Sequence, residues 1–339
     1  MSSLQAGALL REQVSHEFAS ITTSDLDRQL AAILACVSYL DAGGDASHGD
    51  ELRRLFDQFV HSFDHTARVL GDEDAARLGQ HVQSALLPLM RRSENGYRWF
   101  SKPRGYAGDY QTIARMYDDA TRGAGVVDKL LDRCFLRLPA VAAVQNRRAL
   151  MSAEIKATLR EVHDQWVRVT SFACGPAREL FDLYAHLDEP RAVQSTLVDF
   201  DAEALTYCGH WARQLRVENA VQVIEANLIH AAVGRAPLEL PPQDLVYSIG
   251  LIDYFNDELV IKLMNLAHKL LRPKGRIILG NFHPRNPTRA VMDHVLDWKL
   301  IHRTEEDMHR LYRASSFNRP CTRIMYEAQQ INLFAECVK

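Results

Sequence analysis

From about residue 140 onward, short apolar runs alternate with segments of helical spacing, and this alternation restricts the fold more than any other feature of the chain. The runs are RVTSFA (168–173), STLVDF (195–200), VQVIEA (221–226), DLVYSIG (244–250) and RIILGNF (276–282). Between them, AREL opens one helix, and DAEALTYCGHWARQL and DELVIKLMNLAHKLL place apolar residues three and four apart, as a helix packed on one face does. RPKG then supplies the break that ends the last of these. Apolar runs separated by helices suit a parallel sheet covered on both faces, so residues 136–339 are predicted to form an α/β domain. TRIMYEA (322–328) and INLFAECVK (331–339) read as two closing strands.

Residues 1–135 read as a separate helical domain. LDRQLAAILACVSYL and ELRRLFDQFVHSFDHTARVL carry helical periodicity with no strand-like alternation between them. DAGGDASHGDE (41–51) is predicted to be the loop joining them, and Thr23 and Ser24 an N-cap ahead of an acidic first turn. A length of 339 residues suits two such domains. Forty basic against 43 acidic residues give a net charge of −3, which excludes the broad positive field of a DNA-binding surface. No stretch approaches the roughly 18 apolar residues of a membrane span. The opening MSSLQAGALLREQ lacks the features of a secretion signal, so a cytoplasmic location is expected. Cys36, Cys134, Cys174, Cys208, Cys321 and Cys337 are scattered and read as reduced thiols.

Candidate chemistry gathers at the ends of the runs. VRVTSFACGPAREL sets Ala173, Gly175 and Ala177 at alternate positions where a strand turns into a helix, which lets backbone approach a ligand; tight strand-to-helix packing explains the same residues. Asp199 follows about two dozen residues later, where a carboxylate can accept both hydroxyl hydrogens of a ribose. Its alternative role is to cap the next helix, for which Asp201 is better placed. Ala226, Asn227 and Leu228 follow the third run, and the Asn227 amide suits either an adenine edge or a polar turn. Ser248, Ile249 and Gly250 close the fourth run with a small-residue edge. Four successive ends would line one rim, where doubly wound sheets bind ligands. ACGPARE, with one glycine and a proline, departs from the dinucleotide fingerprint and favours a cofactor without phosphates.

Other chemistries find less support. His61 and His65 stand one helical turn apart without the glutamate of the zinc-protease pattern or an evident third ligand, so no metal site is expected. No G-x-S-x-G string occurs. Cys174 reads as a small packing residue of the turn.

With these strand ends in place, the chain from about 140 onward resembles the class I S-adenosylmethionine-dependent methyltransferases. The resemblance implies a Rossmann-like sheet, mostly parallel with an antiparallel C-terminal strand, and S-adenosyl-L-methionine as cofactor. It implies that the turn with Ala173, Cys174, Gly175 and Ala177 holds the methionine part and that Asp199, followed by Phe200, binds the ribose. Ala226, Asn227 and Leu228 would face adenine, and Ser248, Ile249, Gly250 and Leu251 would lie beneath the transferable methyl group. Ser171 stands where many members have an acidic residue, and two of the usual glycines are alanines.

KPRGYAGDY (102–110), SFACGPARE (171–179) and GNFHPRNPTR (280–289) are similar to one bacterial subgroup, the methyltransferases that make 3-hydroxypalmitic acid methyl ester, an extracellular signal. The similarity spans roughly residues 90–315. It implies O-methylation of a carboxylate on a small, anionic acceptor, with the helical domain as a cap over it; a homodimer is left open. A carboxylate needs a cationic clamp more than a base, so Arg104, Lys102 and Arg289 are candidates to hold it, with Tyr106 and Tyr117 as hydrogen-bond donors. A hydroxyl or amine acceptor would need a base, for which His283 or Asp253 comes first. Two other readings stand beside this one. A non-catalytic module sensing S-adenosylmethionine is favoured by Ser171, and methylation of RNA or protein by the basic group Arg91, Arg92, Arg98, Lys102 and Arg104.

Overall fold

The computed structural model describes residues 24–45, 47–162, 166–187 and 192–339, which divide into two compact units. Among the described residues, one unit carries a seven-stranded sheet. Its strands are β1 (Val167–Phe172), β2 (Val193–Asp199), β3 (Val221–Glu225), β4 (Gln243–Ser248), β5 (Leu271–Phe282), β6 (Arg323–Tyr326) and β7 (Asn332–Val338). Their order is β3-β2-β1-β4-β5-β7-β6. The first five run parallel, and β7 inserts between β5 and β6 antiparallel to both, which confirms the predicted sheet class. Two cores cover its faces. Phe172, Val198, Val246, Leu263, Leu279 and Tyr312 belong to one, and Val169, Phe181, Leu197, Leu245, Tyr247 and Ile278 to the other. Alternate residues of each strand thus enter opposite cores, as the pleat dictates.

The helices of this unit are α5 (Tyr110–Asp118), most of α7 (Pro139–Glu161), α8 (Arg178–Tyr184), α9 (Ala202–Leu215), α10 (Leu228–Ala232), α11 (Asp257–Leu270) and α12 (Glu305–Ala314). Local capping sets several starts. Asp201 accepts from the N–H groups of Glu203 and Ala204 at the head of α9. Asn256 accepts from Leu259 N–H at α11, and Thr304 and Asp307 form a reciprocal box at α12. The RPKG break takes a different form from the one expected: β5 begins at Leu271, directly after α11, and RPKG lies within the strand. Lys274 at φ 67° and Gly275 absorb the irregularity opposite Gln243–Leu245. A Cβ on Gly275 would lie 2.7 Å from the Gln243 carbonyl oxygen, so glycine is required there.

The other unit is helical and comprises the described residues up to 107 together with 119–141 and 287–299. It holds a helix over 24–41 (α1), α2 (His48–Val69), α3 (Asp72–Met90), α4 (Glu94–Ser101) and α6 (Val126–Leu136). Phe56, Phe59, Phe63, Trp99 and Phe135 are buried in it. Asp132, also buried, accepts from Ser93 Oγ, from Asn95 N and Nδ2, and from Arg122 N, which ties α4 to α6. The loop predicted over 41–51 is shorter, because α2 starts at His48 behind Ser47. Ser24 is already helical, and Thr23 lies outside the described residues. The two units interleave in sequence instead of meeting at one boundary near 135: residues 108–118 belong with the sheet and 287–299 with the helices. Among the described residues no helix is long and apolar enough to cross a membrane.

Candidate active site

The carboxyl ends of β1, β2, β3 and β4 form one rim of the sheet unit. The turn after β1 takes an unusual path, with Ala173 at φ 50°, Gly175 at φ 51° and Ala177 at φ 46°. The three small residues singled out from sequence are therefore the three that adopt left-handed backbone. Each alanine costs about 1–2 kcal/mol there, and local hydrogen bonds hold the shape. Cys174 N–H donates to Val198 O at 3.1 Å, Ala177 N–H to Cys174 O at 3.0 Å, and Gly175 N–H to Asp199 Oδ2 at 2.9 Å. No atom lies within 4 Å of where a Cβ on Gly175 would stand, so this residue faces open space. The Cys174 and Cys208 thiols lie beneath, both directed at the Gly175 carbonyl.

Asp199 ends β2 and anchors this turn. Besides Gly175, it accepts from Asp201 N–H through Oδ1 at 3.0 Å. Burial pushes its carboxyl up, and the backbone donors Gly175 and Asp201 oppose that. Phe200 N–H contributes as well, and with about four lone-pair sites on two oxygens the carboxylate keeps acceptor capacity for a ligand hydroxyl. Asp201, not Asp199, caps α9, the division of roles that spacing suggested. Phe200, between them, is 58% exposed and sets an aromatic ring on the rim. After β3, Ala226 N–H donates to Asp199 O, and Asn227 Oδ1 caps α10 by accepting from Ile229 N–H and His230 N–H. The amide NH2 of Asn227 is the part left to reach a ligand, while Leu228 is buried in the core.

At the end of β4, Ser248 Oγ donates to Phe172 O at 2.8 Å and stitches β4 to β1. Arg147 Nη1 donates to Ile249 O at 2.7 Å, and the guanidinium lies against Gly250, where a Cβ would come within 3.0 Å of it. Arg147 Nε reaches the Tyr117 hydroxyl at 3.5 Å. Glu179, buried in the first turn of α8, accepts from Tyr247 Oη at 2.8 Å. Burial pushes its carboxyl up, against the pull of the Tyr247 hydrogen bond and the Arg147 charge. Ser171, at the end of β1, leaves that position without an acid, and Glu179 brings a carboxyl to the same buried layer from the following helix.

The five expected acceptor-side residues separate. Tyr117 lies in α5 and His283 just past β5, both in the sheet unit, whereas Arg104, Tyr106 and Arg289 belong to the helical unit. Arg104 and Tyr106 flank Gly105 in the turn after α4, Arg289 pairs with Asp293 at 3.1 Å, and Lys102 pairs with Asp297 at 3.3 Å. His283 is closed at both ring nitrogens: Nδ1 accepts from Arg285 N–H at 3.0 Å, so Nε2 carries the proton and donates to Glu305 at 3.1 Å. Tyr326 and Arg285 also converge on Glu305, whose carboxyl is held down at about 2, chiefly by the Tyr326 hydroxyl and with help from His283. Asp253 is buried beyond β4, accepts from Phe282 N–H at 2.6 Å, and is pushed up to about 6 by desolvation. Arg147 and Glu179 were not anticipated. A signal for Arg147 exists in the i, i+4 series Ala143, Arg147, Met151, Ile155, a cation in an otherwise apolar stripe.

The sequence matches, over residues 73–329, the family described as "Putative methyltransferase". No curated protein sequence matches it. Among solved structures it is similar to a possible exported protein from Bordetella parapertussis, at 21% identity and a TM-score of 0.59, covering 76% of this chain and 87% of that one. That likeness is one of fold. Lower similarity links it to magnesium protoporphyrin IX methyltransferase from Synechocystis with bound S-adenosylhomocysteine (14% identity, TM-score 0.46, 67% and 92% covered). The same holds for 1,6-didemethyltoxoflavin-N1-methyltransferase from Burkholderia thailandensis (17% identity, TM-score 0.43, 57% and 77% covered). An open space at Gly175, a carboxylate with spare lone pairs at Asp199 and an exposed ring at Phe200 fit an adenosyl group carried without phosphates. The chain belongs to this methyltransferase family, with S-adenosyl-L-methionine as its methyl donor.

Proposed function

We propose that this methyltransferase acts on a small anionic molecule and esterifies its carboxylate, a hydroxy fatty acid being the first acceptor to test. The donor, when bound, supplies a methyl group made electrophilic by a positively charged sulfur. The chain's part is to hold the reactants: the Gly175 turn would hold the methionine part, Asp199 the ribose hydroxyls, and Phe200 and Asn227 the adenine. Bringing the acceptor oxygen close and in line can supply several kcal/mol, up to about 7–11 in ideal cases.

The observation that carries the carboxylate reading is the closed ring of His283. Its proton-accepting nitrogen is spent on Arg285 N–H, so it does not serve as the base that a hydroxyl or amine would need. A carboxylate, with an ordinary pKa of about 4, is already ionised near neutrality. Asp253, pushed up to about 6, favours a second reading in which it deprotonates a hydroxyl acceptor. An ester product would be a neutral, more diffusible form of the acid, in keeping with a bacterial signal, and a donor made in the cytoplasm suits a cytoplasmic enzyme. The test is incubation with methyl-labelled donor and a panel of hydroxy fatty acids, other carboxylic acids, alcohols and amines, followed by mass spectrometry. Label released as methanol by mild alkali is expected; label that resists alkali would refute esterification.

A further inference from the structure

Three arginines are buried among the described residues: Arg147, Arg276 and Arg303. Arg276 pairs with Glu154 and Glu336, and Arg303 with Asp257. Arg147 pairs with no carboxylate among the described residues, although it is only 5% exposed. Its neighbour on α7, Arg148, is matched by Asp182, which sharpens the contrast. A buried guanidinium without a carboxylate is costly, and such a group is accounted for when a ligand supplies the counter-charge.

The geometry around Arg147 shows where that charge would sit. Nη1 is engaged by Ile249 O and Nε by the Tyr117 hydroxyl, which leaves Nη2 without a hydrogen-bond partner among the described residues. The Tyr117 oxygen accepts from Nε, so its own proton is also unspent. Two unspent donors, one charged, therefore lie together at the carboxyl end of β4, against a glycine that adds no side chain. Glu179 and Asp253 are near enough to act on Arg147 through their charge, yet neither bonds it: Glu179 takes Tyr247 Oη and Asp253 takes Phe282 N–H, so Nη2 stays open to a ligand carboxylate.

We propose that Arg147 and Tyr117 form a carboxylate-binding subsite at the end of β4. The carboxylate belongs either to the acceptor, an arm that rests on the esterification reading above, or to the amino-acid end of the donor. The experiment uses the full chain with Arg147→Met, Arg147→Lys and Tyr117→Phe. Calorimetric titration compares S-adenosylhomocysteine, which has the carboxylate, with 5′-methylthioadenosine, which lacks the whole amino-acid part; the labelled-methyl assay gives KM for the best carboxylic acid.

If the donor's carboxylate is held, Arg147→Met weakens S-adenosylhomocysteine about 10- to 100-fold and leaves 5′-methylthioadenosine unchanged. If the acceptor's is held, both affinities stay and KM rises by a similar factor. Lysine, which keeps the charge, recovers part of either loss. Tyr117→Phe, which removes only a hydroxyl, shifts the same reading about threefold to tenfold and serves should Arg147→Met not fold. Equal loss of both nucleosides, or no change in any of the three quantities, overturns the proposal. Failure of the wild type to esterify any acid defeats the esterification reading alone, and the subsite then stands or falls on the two nucleosides.

Discussion

Replacing Asp199 by asparagine separates a residue that holds the rim from one that also binds ligand. Both carboxylate oxygens accept backbone N–H groups, from Gly175 at 2.9 Å and from Asp201 at 3.0 Å. An amide keeps one oxygen and must turn its NH2 toward the other N–H, leaving a buried donor unmet at about 1–3 kcal/mol of stability. For ligand, the substitution removes charged acceptors from two ribose hydroxyls. At about 1.5–3 kcal/mol for each charge-assisted bond, and with the amide oxygen retaining part of one, the net loss is roughly 3 kcal/mol, or about a hundredfold in Kd. The assay pairs calorimetric titration of S-adenosylhomocysteine with thermal denaturation. Asp201→Ala is the control: it removes the α9 cap for about 1 kcal/mol of stability and leaves affinity within about threefold. A folded Asp199→Asn protein that binds S-adenosylhomocysteine as tightly as wild type would refute the ribose role.

Gly175→Ala meets no atom within 4 Å and carries only the left-handed backbone penalty of about 1–2 kcal/mol, so denaturant titration should find a modest loss while the added methyl weakens S-adenosylhomocysteine binding. For Asp253, a folded-state pKa of about 6 exceeds the unfolded value, so the native state binds the extra proton. Stability associated with this group is then full below about pH 4 and falls by roughly 3 kcal/mol as pH rises through 6; Asp253→Asn, which keeps an acceptor for Phe282 N–H, should flatten that part of the pH–stability curve. Arg303, 2% exposed, donates to the Ile252 and Phe255 carbonyls, Asn281 Oδ1 and Asp257. Arg303→Met should cost about 3–5 kcal/mol by chemical denaturation, whereas the exposed pair Lys262–Glu258 should be nearly silent when broken.

How much of this was legible in the sequence follows from the range over which each signal acts. Strand and helix periodicity is local, and the turn at Ala173, Gly175 and Ala177 was marked by small residues at alternate positions, so the sheet and its rim could be read directly. Asp201 could be assigned as a cap because the acceptor sits next to the N–H groups it serves. His283 could not be judged the same way: Arg285 is two residues away, but Glu305, the partner of its other nitrogen, arrives from the head of α12. Glu179 escaped because an acid was sought at the last residues of β1, whereas one turn of α8 folds a later carboxyl into that layer. Arg147 escaped for a deeper reason. A cation in an apolar stripe reads as a solvated edge until the cover over it is known; Met151 and Ile155 carry the same stripe of α7 into the core, and Tyr117 reaches Arg147 from α5, a helix that precedes α7 by two elements. Residues whose role depends on such distant cover are the ones a single sequence hides, and an unmatched buried charge is the trace they leave once the chain is folded.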